Sequence, residues 1–158
     1  MSPARAMKFH RPSSFGFPLS LALIAVVMVT RVEAADRVEG PVDAEVLHVI
    51  DGDTLALRVH IWIGQTVDMN VRIAGIDAPE LHGKCASERT RAAEARDFLK
   101  RLVSGQRLRL EDVRNDKYGG RAIAEVRDTK GDDVGEALLA RGLARVYDGG
   151  RRGSWCPA

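Results

Sequence analysis

The sequence predicts a small mixed domain, mainly β with two helices, of the kind a five-stranded barrel exemplifies. Three observations lead there. Apolar and polar residues alternate with period two in several short runs. Two other segments switch to helical spacing. The order is strands, helix, strands, helix, which does not suit an alternating βαβ sheet.

Ala35 to Pro41 is a polar lead-in. Val42 to Val59 carries alternating and β-branched apolar residues broken at Asp51-Gly52, so it reads as two strand segments joined by a tight turn. A turn signal follows in Ile61-Trp62-Ile63-Gly64-Gln65. Thr66 to Ile76 reads as the next strand: Val67, Met69, Val71 and Ile73 alternate with Asp68, Asn70 and Arg72, which puts Arg72 on the face opposite the core. Pro79 stops that strand, and an irregular stretch runs through Lys84. Ser87 to Val103 is an amphipathic helix with Ala95, Phe98, Leu99, Leu102 and Val103 on its apolar side, and Gly105 ends it. Arg107 to Val113 and Ala122 to Arg127 are short strands. Asp133-Val134-Gly135-Glu136 resembles a capping box that opens a second helix through Leu143. The tail from Asp148 is rich in Gly and Arg and contains Trp155-Cys156.

Residues 1–34 read as a secretory signal. Arg5, Lys8 and Arg11 form a basic start, Leu19 to Val29 is apolar, and Val32-Glu33-Ala34 offers small residues for cleavage after Ala34. An apolar run of about 11 residues is short for a span, which needs roughly 20. A secreted or periplasmic location is therefore expected, with no stable membrane association after cleavage. The net charge of the whole chain is +2, but four of its cations lie in this segment. The remainder is close to neutral, so any affinity for phosphate has to come from local clusters rather than overall basicity.

Two cysteines, Cys85 and Cys156, lie beyond the signal. In an oxidising compartment the pair is read as a disulfide, ahead of a metal site on His82, Cys85 and Cys156 or two free thiols. Closing a loop of about 70 residues adds roughly 4 kcal/mol in the chain-entropy view.

The chemistry-bearing residues fall in three runs: Ile50-Asp51-Gly52-Asp53-Thr54, Val71 to Glu80, and Asp116-Lys117-Tyr118-Gly119-Gly120-Arg121. Asp53 and Asp77 each lie between a strand and a turn, where carboxylates can hold a hard cation and the Ala78 carbonyl can be a further ligand. Glu80 could orient or deprotonate a water beside a phosphate. Arg72 and Arg121 could clamp that phosphate and offset charge gathering on it. Lys117 and Tyr118 could hold a terminal phosphate or stack near a base. Singly, each of these acids also reads as an ordinary turn residue and each arginine as a solvated one. His48, His60 and His82 lack metal-ligand spacing, and there is no Walker loop, GxSxG or HExxH.

Val49 to Thr54, then Arg72 with Ile76-Asp77-Ala78-Pro79-Glu80, then Asp116-Lys117-Tyr118-Gly119 occur in the order of three signatures of the staphylococcal nuclease family. Asp133 to Ala144 resembles that family's later helix motif. The resemblance covers roughly residues 46–147, leaving 148–158 as a tail that a Cys85–Cys156 link would tie down. It implies a five-stranded OB-fold barrel with two packed helices and a calcium-dependent phosphodiesterase acting on DNA and RNA. Carried over position by position, Asp53, Asp77 and the Ala78 carbonyl would ligate Ca2+, with Asp51 and Thr54 supporting them. Arg72, Glu80 and Arg121 would be the catalytic residues, Glu80 as general base. The expected substrate is DNA and RNA, single strands preferred, and the expected state a monomer. The alternative is a non-catalytic OB module that binds single-stranded nucleic acid. The chain departs from the family pattern in three ways. Ala78 stands where threonine is usual, Gly120 adds a residue before Arg121, and most of a third helix is missing.

Overall fold

Strand pairing begins with a long hairpin. In the computed structural model, which describes residues 36–117 and 119–157, β3 (Thr54–Trp62) pairs antiparallel with β4 (Gln65–Ile73) along nearly their whole length. The preceding strand, β2 (Val42–Val49), pairs with β3 on its other side. After the helix α1 (Ala86–Val103), β6 (Arg107–Asn115) pairs with β2, and β7 (Arg121–Arg127) pairs with both β6 and β4. The β4–β7 contact is parallel and closes the circuit β2-β3-β4-β7-β6 into a five-stranded barrel. The short strand β1 (Arg37–Val38) extends the sheet beyond β6. A second small ribbon joins β5 (Ile76–Asp77) to β8 (Arg145–Val146), downstream of the helix α2 (Val134–Ala140). The architecture is thus mainly β, a closed OB-like barrel with two helices.

The barrel interior is aliphatic. Leu55, Leu57, Val71, Ile73, Leu108, Leu110, Ala124 and Val126 are buried there, alternate residues of each strand pointing inward. The helix α1 covers one mouth with Leu99 and Val103, and α2 adds Val134 and Leu138 to the same core. Asp133 caps α2 by accepting the Glu136 N–H at 2.9 Å, one half of the expected capping box. At α1 the N-cap position is Cys85, whose side chain makes no capping bond because its sulfur is bonded to Cys156.

Three elements differ from expectation. The strand placed at Thr66 to Ile76 ends at Ile73. The chain turns through Ala74 and Gly75, the latter at φ 74°, and Ile76-Asp77 starts the separate ribbon. Ala74 and Ile76 continue the apolar run past Ile73 and so mask the turn that Gly75 makes. The helix α2 stops at Ala140, three residues early, as Arg141 and Gly142 bond back to Leu138 and Leu139 and end it. The polar lead-in carries the short strand β1. The segment read as a signal lies outside the described residues, as does Tyr118. Among the described residues no helix is long and apolar enough to cross a membrane.

Candidate active site

The hairpin register builds the first half of the site. Thr54 stands opposite Arg72 in the β3–β4 ladder, and the Ile73 N–H donates to the Asp53 carbonyl at 2.8 Å. Asp53 therefore lies beside Arg72 without any long-range contact. The residue is 3% exposed and both of its carboxylate oxygens are engaged. The Oδ1 atom accepts from Arg72 Nη1 at 2.7 Å and from the Thr54 hydroxyl at 2.9 Å, while Oδ2 accepts the Ala78 N–H at 3.0 Å. Asp51 folds back to accept the Asp53 N–H at 3.1 Å, a local Asx turn that fixes the loop. Gly52 is needed between them. A Cβ there would stand 2.8 Å from both the Ala78 and the Ala95 Cβ.

The turn after β4 supplies the second half. It swings Asp77 back toward Arg72, whose Nη2 lies 3.6 Å from Asp77 Oδ1 and donates to the Ile76 carbonyl at 3.2 Å. One buried guanidinium thus spans both aspartates. Burial is the main influence on Asp53 and raises its pKa above the ordinary carboxylate value. Arg72 pulls the other way, Asp51 reinforces the rise, and the bonds from Ala78 and Thr54 oppose it.

Arg72 lies on the face of β4 opposite the barrel core, as expected, yet it is only 9% exposed. What covers it is not the barrel. Tyr147, just after β8, lies with its ring centroid 5.9 Å from the Arg72 guanidinium carbon, and its N–H bonds the Gly75 carbonyl at 2.9 Å. The β4–β7 register sets Arg121 opposite Asn70 and Ile123 opposite Arg72, so Arg121 and Arg72 stand near one another on the barrel's outer surface. Arg121 pairs with the buried Asp116. Gly119 and Gly120 both take left-handed backbone, with φ near 70°, and absorb the extra residue in the β6–β7 turn.

Together these groups line a cleft of about 490 Å³. Asp51, Arg72, Glu80, Arg121, Lys117 and Tyr147 are on its wall. Asp53, Asp77 and Ala78 lie behind it, joined to it through Arg72. The structure thus gathers Asp51, Asp53, Thr54, Arg72, Asp77, Ala78, Glu80, Lys117 and Arg121 in one region.

Sequence reasoning anticipated the tail's covalent tie but missed its contacts with the site. Its disulfide is present: Cys85 and Cys156 are bonded, with Cα atoms 5.9 Å apart, so the alternative of a metal held on their sulfurs does not apply. Through this bond the segment 147–156 is laid across the site. Arg152 is ion-paired to both Asp77 and Glu80, and its Nη2 donates to the Ala78 carbonyl at 3.1 Å. The indole N–H of Trp155 donates to Asp77 Oδ2 at 3.1 Å. Trp155 is itself seated under Arg145, whose guanidinium carbon is 3.6 Å from the ring centroid. Burial tends to ease the proton off Arg152, but the Glu80 bond and the charges of Asp77 and Glu80 outweigh it and hold the guanidinium firmly protonated. A signal was available in the sequence. Cys85 lies five residues beyond Glu80, so a bond to Cys156 had to bring the residues before Cys156 close to Glu80.

Known proteins resemble this chain over about half of its length. A family profile described as staphylococcal nuclease homologue matches residues 70–154. A probable endonuclease of Leptosphaeria maculans is 37% identical over 90 residues, covering 55% of this chain and 30% of that protein. A probable endonuclease of Pyricularia oryzae is 40% identical over 88 residues, 54% of this chain and 33% of that protein. One from Schizosaccharomyces pombe is 34% identical over 95 residues, 56% of this chain and 40% of that protein. The chain therefore spans well under half the length of these relatives.

Proposed function

The chain belongs to the staphylococcal nuclease family, and from that premise we propose that it is a calcium-dependent nuclease hydrolysing phosphodiester bonds in DNA and RNA, preferring single strands. One observation carries the reading. A buried arginine, a half-exposed glutamate and a second arginine line one open cleft, and two buried aspartates are joined to it through the first arginine. Neither a turn nor a solvated face requires that convergence.

The donor set suits a hard cation. Asp53, Asp77 and the Ala78 carbonyl offer only oxygen; Arg72 bridges the two carboxylates, and Asp53 accepts the Ala78 N–H. Calcium bound there would supply Lewis-acid polarisation of a phosphoryl oxygen and lower the pKa of an adjacent water. The remaining work falls to the chain's own residues. Arg72, fixed by Asp53, presents a planar donor pair that stays charged and can hold two phosphate oxygens. Arg121 approaches the same cleft from β7 and can stabilise charge on the phosphate as the leaving oxygen departs. The Glu80 side chain is 46% exposed and lines the cleft, where it can accept a proton from the attacking water. Lys117 adds positive charge at the rim. An oxidising location, secreted or periplasmic, belongs to the reading and is supported by the Cys85–Cys156 disulfide. A monomer acting on free nucleic acid completes it.

Purified protein should degrade single-stranded DNA and RNA when calcium is present and stop when a chelator is added. Undiminished cleavage in chelator rejects the metal. Glu80→Gln should lower the rate by roughly two orders of magnitude or more without disturbing the fold. Calcium-independent binding of single strands with no cleavage would favour the non-catalytic OB module instead.

A further inference from the structure

Arg152 sits where the proposed ion would have to sit. The Ala78 carbonyl and Asp77, two of the oxygen donors assigned to calcium, are both bonded to its guanidinium, and Glu80 is bonded to it as well. Asp77's other oxygen is held by Trp155. We propose that Arg152 is the resident cation of this acidic site, that it and a divalent ion exclude one another, and that the disulfide-tied tail thereby sets the ion affinity. The proposal rests on the reading that Asp53, Asp77 and the Ala78 carbonyl form the ion's ligand set.

The argument is one of charge and space. Asp51, Asp53, Asp77 and Glu80 bring four carboxylates to a small region. Arg72 answers Asp53 and part of Asp77. Without Arg152, Glu80 would lose this ion pair and Asp77 would keep only the longer one to Arg72, which strengthens attraction for a divalent ion. The Arg152 fork supplies that charge, matching two carboxylates and a carbonyl at once as an ammonium could not. A cation of radius comparable to a guanidinium nitrogen cannot share the Ala78 carbonyl and Asp77 Oδ1 with it, so ion binding requires Arg152 to leave. Leaving is resisted because the tail is pinned on both sides. Tyr147 bonds Gly75, Arg145 bonds the Ser154 carbonyl at 2.9 Å, and Cys156 is covalently fixed to Cys85.

The test is calcium binding by titration calorimetry on the oxidised protein, with no nucleic acid present. Terbium luminescence sensitised through Trp155 reports the same site, since its indole touches Asp77. Arg152→Ala should bind the ion roughly tenfold more tightly or better than wild type. Arg152→Gln, which keeps bulk and a hydrogen-bonding end, should gain as well, and near-ultraviolet circular dichroism of Trp155 confirms that both variants stay folded. Asp53→Asn in the Arg152→Ala background should remove the gain. Equal affinity in wild type and both folded variants overturns the proposal and leaves the ion reading standing. No binding in any of them overturns both. A gain that survives Asp53→Asn places the ion elsewhere and also overturns it.

Discussion

Replacing Cys85 and Cys156 together with alanine measures what the covalent tie contributes to the fold. The two residues are separated by 71 positions, and the bond joins the start of α1 to the tail that covers the site. Removing a cross-link that closes a loop of this size restores unfolded-chain entropy worth about 4 kcal/mol. For a domain of roughly 120 residues that corresponds to a fall of about 15 °C in Tm. The native side adds little, because both cysteines are only partly buried and no side-chain cap is lost at α1. The denatured side should change visibly, since an uncross-linked chain exposes more surface and the urea m-value should rise. The assay is urea unfolding of oxidised wild type and the double variant, followed by tryptophan fluorescence. A loss under about 1 kcal/mol with an unchanged m-value would refute the reasoning. It would mean that the tail contacts, not the bond, confine the chain.

Other outcomes follow from the same geometry. Gly52→Ala should destabilise by about 1–3 kcal/mol, because its Cβ would meet the Ala78 and Ala95 Cβ atoms at 2.8 Å; a thermal melt checks it, and an unchanged Tm contradicts the close packing. Arg72→Ala should cost roughly 3 kcal/mol as well as activity, since it leaves the Asp53 carboxylate buried without its partner; denaturant titration separates that loss from the effect on rate. The bond from Arg58 holds the Asp68 carboxyl below the ordinary range. Its folded value is therefore depressed, so the pair's contribution is present above the unfolded carboxylate value and fades as pH falls through the folded one. A carboxyl NMR titration should show Asp68 returning toward the ordinary range in Arg58→Gln.

Much of the barrel was legible because each long strand and α1 carries its own period. The helix α1 could be placed to within a residue from helical spacing, and the hairpin β3–β4 to within three residues from alternation. The strands β1, β5 and β8 are two residues each and too short to carry a period. Their existence depends on partners far away in sequence. The same division holds at the site. Asp51, Asp53, Arg72, Asp77 and Glu80 lie at the ends of neighbouring strands, so their grouping follows from local motifs. Arg152 and Trp155 reach Asp77 from a stretch with neither helical nor strand pattern, and only the cysteine pairing pointed toward their position.

The tail's long reach also orders the events of folding. Asp53 and Arg72 are 19 residues apart in one hairpin, a contact that closes quickly. Arg152 and Trp155 meet Asp77 across 75 and 78 residues and dock onto a surface that β5 and β8 must first create. In the reduced chain, where no cross-link shortens these loops, closure entropy and this dependence make tail docking a late step, so a barrel with paired aspartates and an uncovered site should precede the native state. Pulse-labelled hydrogen exchange on the reduced chain should find the Ala78 amide protected before the Trp155 indole. Simultaneous protection would mean that the tail and the barrel condense as one unit.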